Sequence, residues 1–159
     1  CRLGDAAGLE RMEAAFARRA LQAPLEFYYC AVMADTFAAE GRKREAFDIV
    51  AKTLERAASS QVGLFVPELW RLRGELTLAL SADERAEGER CLDHAAVMAG
   101  RQGARLLELR ATTSLAQIWA ETGRRAQALD RLAPLYRAFA QGRDMSDVTA
   151  AARLIASLS

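Results

Sequence analysis

The chain has 159 residues, 52% of them hydrophobic, enough for one domain or array with a core of its own. Its 22 Lys and Arg residues against 21 Asp and Glu leave a formal net charge of +1 and a pI near 7.9, which excludes the strong basic field that drives nucleic-acid or anionic-membrane binding. No run of about 18 uncharged apolar residues occurs and no charged-then-apolar leader opens the chain, so neither membrane insertion nor export is expected.

Helical patterning begins almost at once after Cys1, as expected of a piece of a longer protein. Glycine suits the left-handed residue that follows a helix, and proline suits the first helical turn. This punctuation predicts helices over 6–21, 25–40, 43–58, 66–80, 83–100, 104–122, 125–140 and 146–158. Apolar residues recur at helical spacing in several of them: Leu9, Met12, Phe16 and Ala20 in the first, Ala46, Val50, Thr53 and Ala57 in the third, and Ala128, Leu132, Leu135 and Phe139 in the seventh. The segment 25–39 has few polar residues, chiefly Glu26, Asp35 and Thr36, so it must be covered on several sides, whereas 43–58 is plainly amphipathic. Ser81-Ala82-Asp83-Glu84 reads as a capping box. Pro134 should kink the seventh helix, and Val148, Ala151, Ile155 and Leu158 form the stripe of a closing one. No stretch alternates with period two for long enough to make a strand.

The helices repeat. AAEGRKREAF at 38–47 returns as WAETGRRAQAL at 119–129, with Gly41 and Gly123 lying 82 residues apart. That is two periods of about 41, in the range of helical-hairpin solenoids. The expected fold is an all-α, right-handed α-solenoid of seven to eight helices. It comprises the second helix of a preceding repeat (6–21), repeats over 25–60, 66–101 and 104–140, and the closing helix 146–158. Counting from the turns in the tetratricopeptide pattern places Cys30, Met33, Phe37 and Ala46 at packing positions, and likewise Thr112, Leu115, Trp119 and Ala128. The middle repeat gives Leu69, Leu72, Leu76 and Gly88 once a short insertion is allowed.

PELWRLRGELTLAL at 67–80 and the run from Arg90 to Phe139 resemble the C-terminal repeat region of bacterial multidomain signalling ATPases. GDAAGLERMEAAF at 4–16 extends the resemblance toward the start. Such proteins join a nucleotide-binding ATPase to a class III adenylate cyclase or a winged-helix DNA-binding domain. The resemblance implies a cytoplasmic regulatory arm without chemistry of its own, since no GxxxxGK[ST] phosphate loop lies in this chain. Its partners would be a protein, a peptide or the neighbouring domains of its parent, with no cofactor, no direct nucleic-acid contact and no membrane. A self-contained nucleic-acid-binding regulator is the alternative, and it would need a basic face.

In stacked hairpins the first helices line the concave side. Transferring the groove-facing positions gives Tyr28, Ala31, Asp35 and Ala38, then Trp70, Gly74 and Thr77, then Arg110, Thr113, Gln117 and Ala120. Tyr28 and Trp70 would be aromatic anchors, with Asp35 and Arg110 as polar ends that select orientation. Trp70 sits one residue past the packing position assigned to Leu69, so core and groove both remain open for it. The other conspicuous residues have plainer readings. His94 has no Cys or His partner at metal spacing. Cys1, Cys30 and Cys91 are odd in number and lack CxxC spacing, as in a reducing compartment, and Cys30 and Cys91 fall on apolar faces, where they read as small buried hydrophobes. Arg18-Arg19, Arg42-Lys43-Arg44 and Arg124-Arg125 read as solvated charge, the last two at repeat turns.

Overall fold

The computed structural model describes residues 23–58, 63–139 and 145–158. Among the described residues seven α-helices follow one another: α1 Ala23–Ala39, α2 Lys43–Ala58, α3 Val66–Leu80, α4 Arg85–Arg101, α5 Arg105–Glu121, α6 Arg125–Arg137 and α7 Ser146–Leu158. A 3₁₀ turn, Ala82–Glu84, precedes α4, and no strand occurs among the described residues. The all-α class therefore matches the sequence pattern, and most helix ends fall within two residues of their expected places. The helix predicted over 6–21 lies outside the described residues.

Each helix packs on its successor. In addition, α1, α3, α5 and α7 pack in sequence, whereas the backbones of α2, α4 and α6 stay apart, with Arg131 of α6 reaching Asp93 of α4 through a 2.6 Å ion pair, and α1 does not pack on α7. Those contacts describe an open array of hairpins rather than a closed bundle. The odd-numbered helices crowd together along one side, which becomes the inner face.

The sharp turns are made by backbone geometry. Gly41, Gly103 and Gly123 take φ of 84°, 70° and 78°, in the left-handed region that a β-carbon disfavours. Each follows a helix end closed by paired bonds: Arg42 N donates to Phe37 O at 2.9 Å and Gly41 N to Ala38 O at 3.1 Å, with the same pattern at Ala104 and Arg124. A β-carbon at Gly41 or Gly123 would meet nothing within 4 Å. Gly123→Ala should therefore cost only the backbone strain, about 1 kcal/mol, and lower Tm by roughly 2–4 °C in a thermal circular-dichroism melt. No shift in Tm would show that the turn relaxes into another geometry.

The middle hairpin turns differently. Ser81 is extended, with φ −147° and ψ 116°, and makes no side-chain capping bond. The predicted capping box does not form, because the 3₁₀ turn comes first and its own carbonyls serve the donors: Glu84 N approaches Ser81 O at 3.4 Å. This extra turn delays α4 to Arg85. Farther on, α6 continues through Pro134 and ends at Arg137.

Burial follows the packing positions. One core gathers Phe27, Cys30, Met33, Phe37, Val50, Leu69, Leu72 and Leu76 from α1 to α3. A second gathers Leu92, Leu109, Leu115, Trp119, Leu132, Val148 and Leu154 from α4 to α7. Trp70 packs against the first core and also against the small Ala95, Ala96 and Ala111 patch, so it joins the two halves of the array. No helix among the described residues is long and apolar enough to cross a membrane.

Candidate functional site: the inner face

The inner face is organised by α3: the packing positions Leu69, Leu72 and Leu76 are buried as expected, while the groove positions of that helix are shifted by one residue. Gly74 lies against α4, where an added β-carbon would stand 2.8 Å from Gly88 O and from Leu92 Cγ. Gly74 is thus the small residue at the hairpin crossing, equivalent to Ala34 in α1 and Ala116 in α5, both fully buried. Trp70 and Thr77 share that buried side. The Trp70 ring stands edge-on to His94 of α4 with centroids 4.8 Å apart, and Thr77, 1% exposed, donates its hydroxyl to Arg73 O at 2.8 Å. Neither is a groove residue. The irregular turn at Ser81 displaced the count, so the residues that α3 turns to the groove are Glu68, Arg71 and Glu75.

These three build an ion-pair ladder across all four inner helices. Within α3, Arg71 donates through Nη2 to Glu68 Oε1 at 2.8 Å and through Nε to Oε2 at 3.1 Å, and its Nη1 lies 2.6 Å from Glu75 Oε1. From α5, Arg110 Nη1 donates to the same Glu68 Oε1 at 2.8 Å. The rest of the Arg110 fork goes to Asp147 of α7, at 3.1 and 2.7 Å. Ser114 of α5 donates to Glu75 at 2.5 Å. From α1, Asp35 stands 3.8 Å from Arg71, beyond hydrogen-bond reach.

Burial and charge set the protonation of this ladder. Burial by itself would raise the Glu68 carboxyl, but the Arg71 and Arg110 guanidiniums overcome it and hold the group below the ordinary carboxylate range. Burial disfavours the charge on Arg71, yet Glu75 and Glu68 outweigh it and keep the guanidinium protonated. Asp35 moves the other way. Its side chain is largely exposed, and the partial burial it has pushes its carboxyl up, with Glu68 and Glu75 adding to that against the pull of Arg71.

Beside the ladder lies a cleft of about 350 Å³ between α1 and the first turns of α3 and α5. Its apolar wall comes from Tyr28, Ala31, Val32, Phe65 and Leu107. Its polar wall is Asp35, Thr36, Glu68 and Arg110. The Tyr28 and Phe65 rings meet at 5.1 Å in a tilted pair, with Tyr28 still 43% exposed. Of the expected groove residues, the structure brings Tyr28, Ala31, Asp35 and Arg110 together here. Thr113 and Gln117 lie elsewhere on α5, the first donating to Leu109 O and the second to Glu121.

The remaining reactive side chains are occupied. Burial pushes the Cys30 thiol up, and burial with the Glu87 carboxylate beside it pushes Cys91 to about 11, so both stay protonated near neutrality and pack as small apolar groups. Three of the arginines at the repeat turns make local contacts at the surface. Arg42 pairs with Glu45 at 2.6 Å and stacks over Phe37, Arg124 holds Glu89 at 2.5 and 2.9 Å, and Arg125 donates to Ser157 O. Glu89 also accepts from the indole of Trp119 at 3.1 Å.

Glu68, Arg71 and Glu75 were the residues that sequence reasoning missed. Their spacing of three and then four is the signature of a charged helical stripe, and it is visible in PELWRLRGE. No family model, curated protein or solved structure matches the chain, so the site rests on this geometry alone.

Proposed function

We propose that this chain is a non-catalytic interaction and sensor scaffold that holds a segment of a partner protein, or of a neighbouring domain, on its inner face. The cleft walled by Tyr28, Phe65 and Leu107 and edged by Asp35 is the observation that carries this reading. It supplies an exposed aromatic anchor, an apolar floor and an exposed carboxylate, the elements from which helical-repeat grooves select peptides. The array would be a right-handed superhelix of tetratricopeptide-like hairpins. By the resemblance of 67–80 and 90–139, it would serve as the cytoplasmic C-terminal arm of a bacterial signal-transduction ATPase, adenylate cyclase or transcriptional regulator.

The test is selection of peptides from a random library on the chain, followed by titration with Tyr28→Ala. Because Tyr28 is largely outside the core, this variant should keep its helical signal and melting temperature. The selected peptides should lose about tenfold in affinity. Peptides that bind the variant as well as the parent chain would remove the cleft from the proposal. The parent class is tested separately by the upstream reading frame, where a phosphate-binding loop is expected and its absence would end the ATPase assignment.

A further inference from the structure

We infer that the segment held in this cleft is basic and apolar, presenting an arginine or lysine to Asp35 with an aliphatic or aromatic side chain laid against Tyr28 and Phe65. The inference rests on the cleft being a docking site and goes beyond it by fixing the charge of the occupant.

The geometry of the ladder supplies the argument. A mixed groove would need a free cation as well as a free anion, and Arg110 was the expected cation. All its contacts in the ladder are already taken: Glu68 and Asp147 together accept three bonds from its guanidinium. Arg71 is likewise enclosed, with a side chain only 9% exposed and Glu68 and Glu75 on either side. Four carboxylates, Asp35, Glu68, Glu75 and Asp147, thus share two guanidiniums, which leaves an excess of two negative charges along the inner face.

Asp35 carries that excess toward the cleft. Its side chain is 69% exposed, it lines the cavity, and its nearest cation is 3.8 Å away. An incoming guanidinium could take a charge-assisted hydrogen bond there without displacing any bond now made. An acidic segment would instead meet an unbalanced carboxylate, with the guanidiniums of Arg71 and Arg110 already bonded to carboxylates of the ladder. The aromatic pair lines the apolar wall of the same cleft, with Leu64 56% exposed next to Phe65 and Leu25 51% exposed one turn before Tyr28. Apolar side chains on either side of the basic residue would cover this patch.

Three synthetic peptides of about twelve residues test the inference, each alternating leucine or phenylalanine with arginine, with glutamate or with serine. Binding to the 159-residue chain is read by fluorescence anisotropy, and its place by NMR shifts of the Tyr28 and Phe65 rings. The arginine peptide should bind best and shift both rings. Asp35→Asn should weaken it by about tenfold, Asp35→Lys should abolish it, and raising the salt should weaken it further. Asp35 is 69% exposed and beyond hydrogen-bond reach of Arg71, so Asp35→Asn should fold about as well as the parent chain, as a melt would show.

A glutamate or serine peptide that binds the same rings as tightly as the arginine peptide overturns the charge assignment and leaves the cleft standing. Arginine-peptide binding untouched by both Asp35→Lys and Tyr28→Ala overturns the charge assignment and the cleft together. So does failure of all three peptides to bind.

Discussion

Glu68→Ala should destabilise the fold by about 3 kcal/mol, more than any exposed charge in the chain would. Surface ion pairs contribute little, with a median of about 0–1 kcal/mol, because water already solvates both partners. Glu68 is different: its side chain is 11% exposed, and it accepts from two arginines on two helices. Removing it strips Arg71 of a bidentate partner and leaves a guanidinium that is 9% exposed facing Glu75 and a more distant Asp35. Most of the cost is the desolvation of a cation left short of partners, not the attraction lost. Glu68→Gln keeps the shape and part of the hydrogen bonding, so it should fall between the variant and the parent chain in urea denaturation. If Glu68→Ala costs less than about 1 kcal/mol, the ladder is no more than a surface ornament and the inner helices are held by apolar packing alone.

The same pair of carboxylates predicts how stability responds to acid. The folded-state pKa of Glu68 is depressed, so its contribution is present above the ordinary glutamate value, about 4.3, and is lost as pH falls through the lower folded value. Asp35 is raised, so its contribution is present below the ordinary aspartate value and is lost as pH rises through the folded one. Solvent screens Asp35, whose side chain is 69% exposed, so the response to acid is set by Glu68. The parent chain should lose stability steeply only below about pH 4.3, and Glu68→Gln should flatten that limb.

The fold was legible because its signals are local. Glycines with no side chain to resist positive φ stand at Gly41, Gly103 and Gly123, and apolar stripes such as Ala46, Val50, Thr53 and Ala57 reappear as buried faces. The inner face was half legible for an equally physical reason. Groove positions are counted from turns, and in the first and third hairpins those turns are glycine turns of fixed length. Tyr28, Asp35 and Arg110 consequently fall on the expected side. The middle hairpin turns through Ser81 and a 3₁₀ segment, whose length no local signal announces, and an error of one residue rotates a helix by about 100°. That rotation exchanged Trp70 and Thr77 for Glu68, Arg71 and Glu75. The role of Arg110 was hidden differently. Its partners Glu68 and Asp147 are 42 and 37 residues away in sequence, so only the stacked helices reveal that the cation is already satisfied.

Gly74→Val should be the second severe substitution, costing about 3 kcal/mol or more. At Gly74 the first added carbon would lie 2.8 Å from a backbone oxygen, Gly88 O, and equally close to Leu92 Cγ, which is itself fully buried. A flexible side chain could swing away, but the α4 backbone can yield only if the two helices separate, which opens the packing of Trp70 and Thr77 beside it. Valine adds two further methyls at the same point. Helix propensity offsets little of this, since valine is only modestly better than glycine in a helix. Gly100, near the end of α4, is the control. There the nearest atoms to a new β-carbon belong to the Glu108 carboxylate, at 3.1 Å, the far end of a side chain that can move. Gly100→Ala should be close to neutral, because the Glu108 side chain can move aside and Gly100 lies in the last turn of α4, where helix propensity counts for less than in a helix interior. Chemical denaturation of the two variants compares the sites directly. A Gly74→Val protein as stable as the Gly100→Ala protein would mean that α3 and α4 do not cross at these glycines. In that case the corrected register, and with it the placement of Glu68, Arg71 and Glu75 on the inner face, would fail.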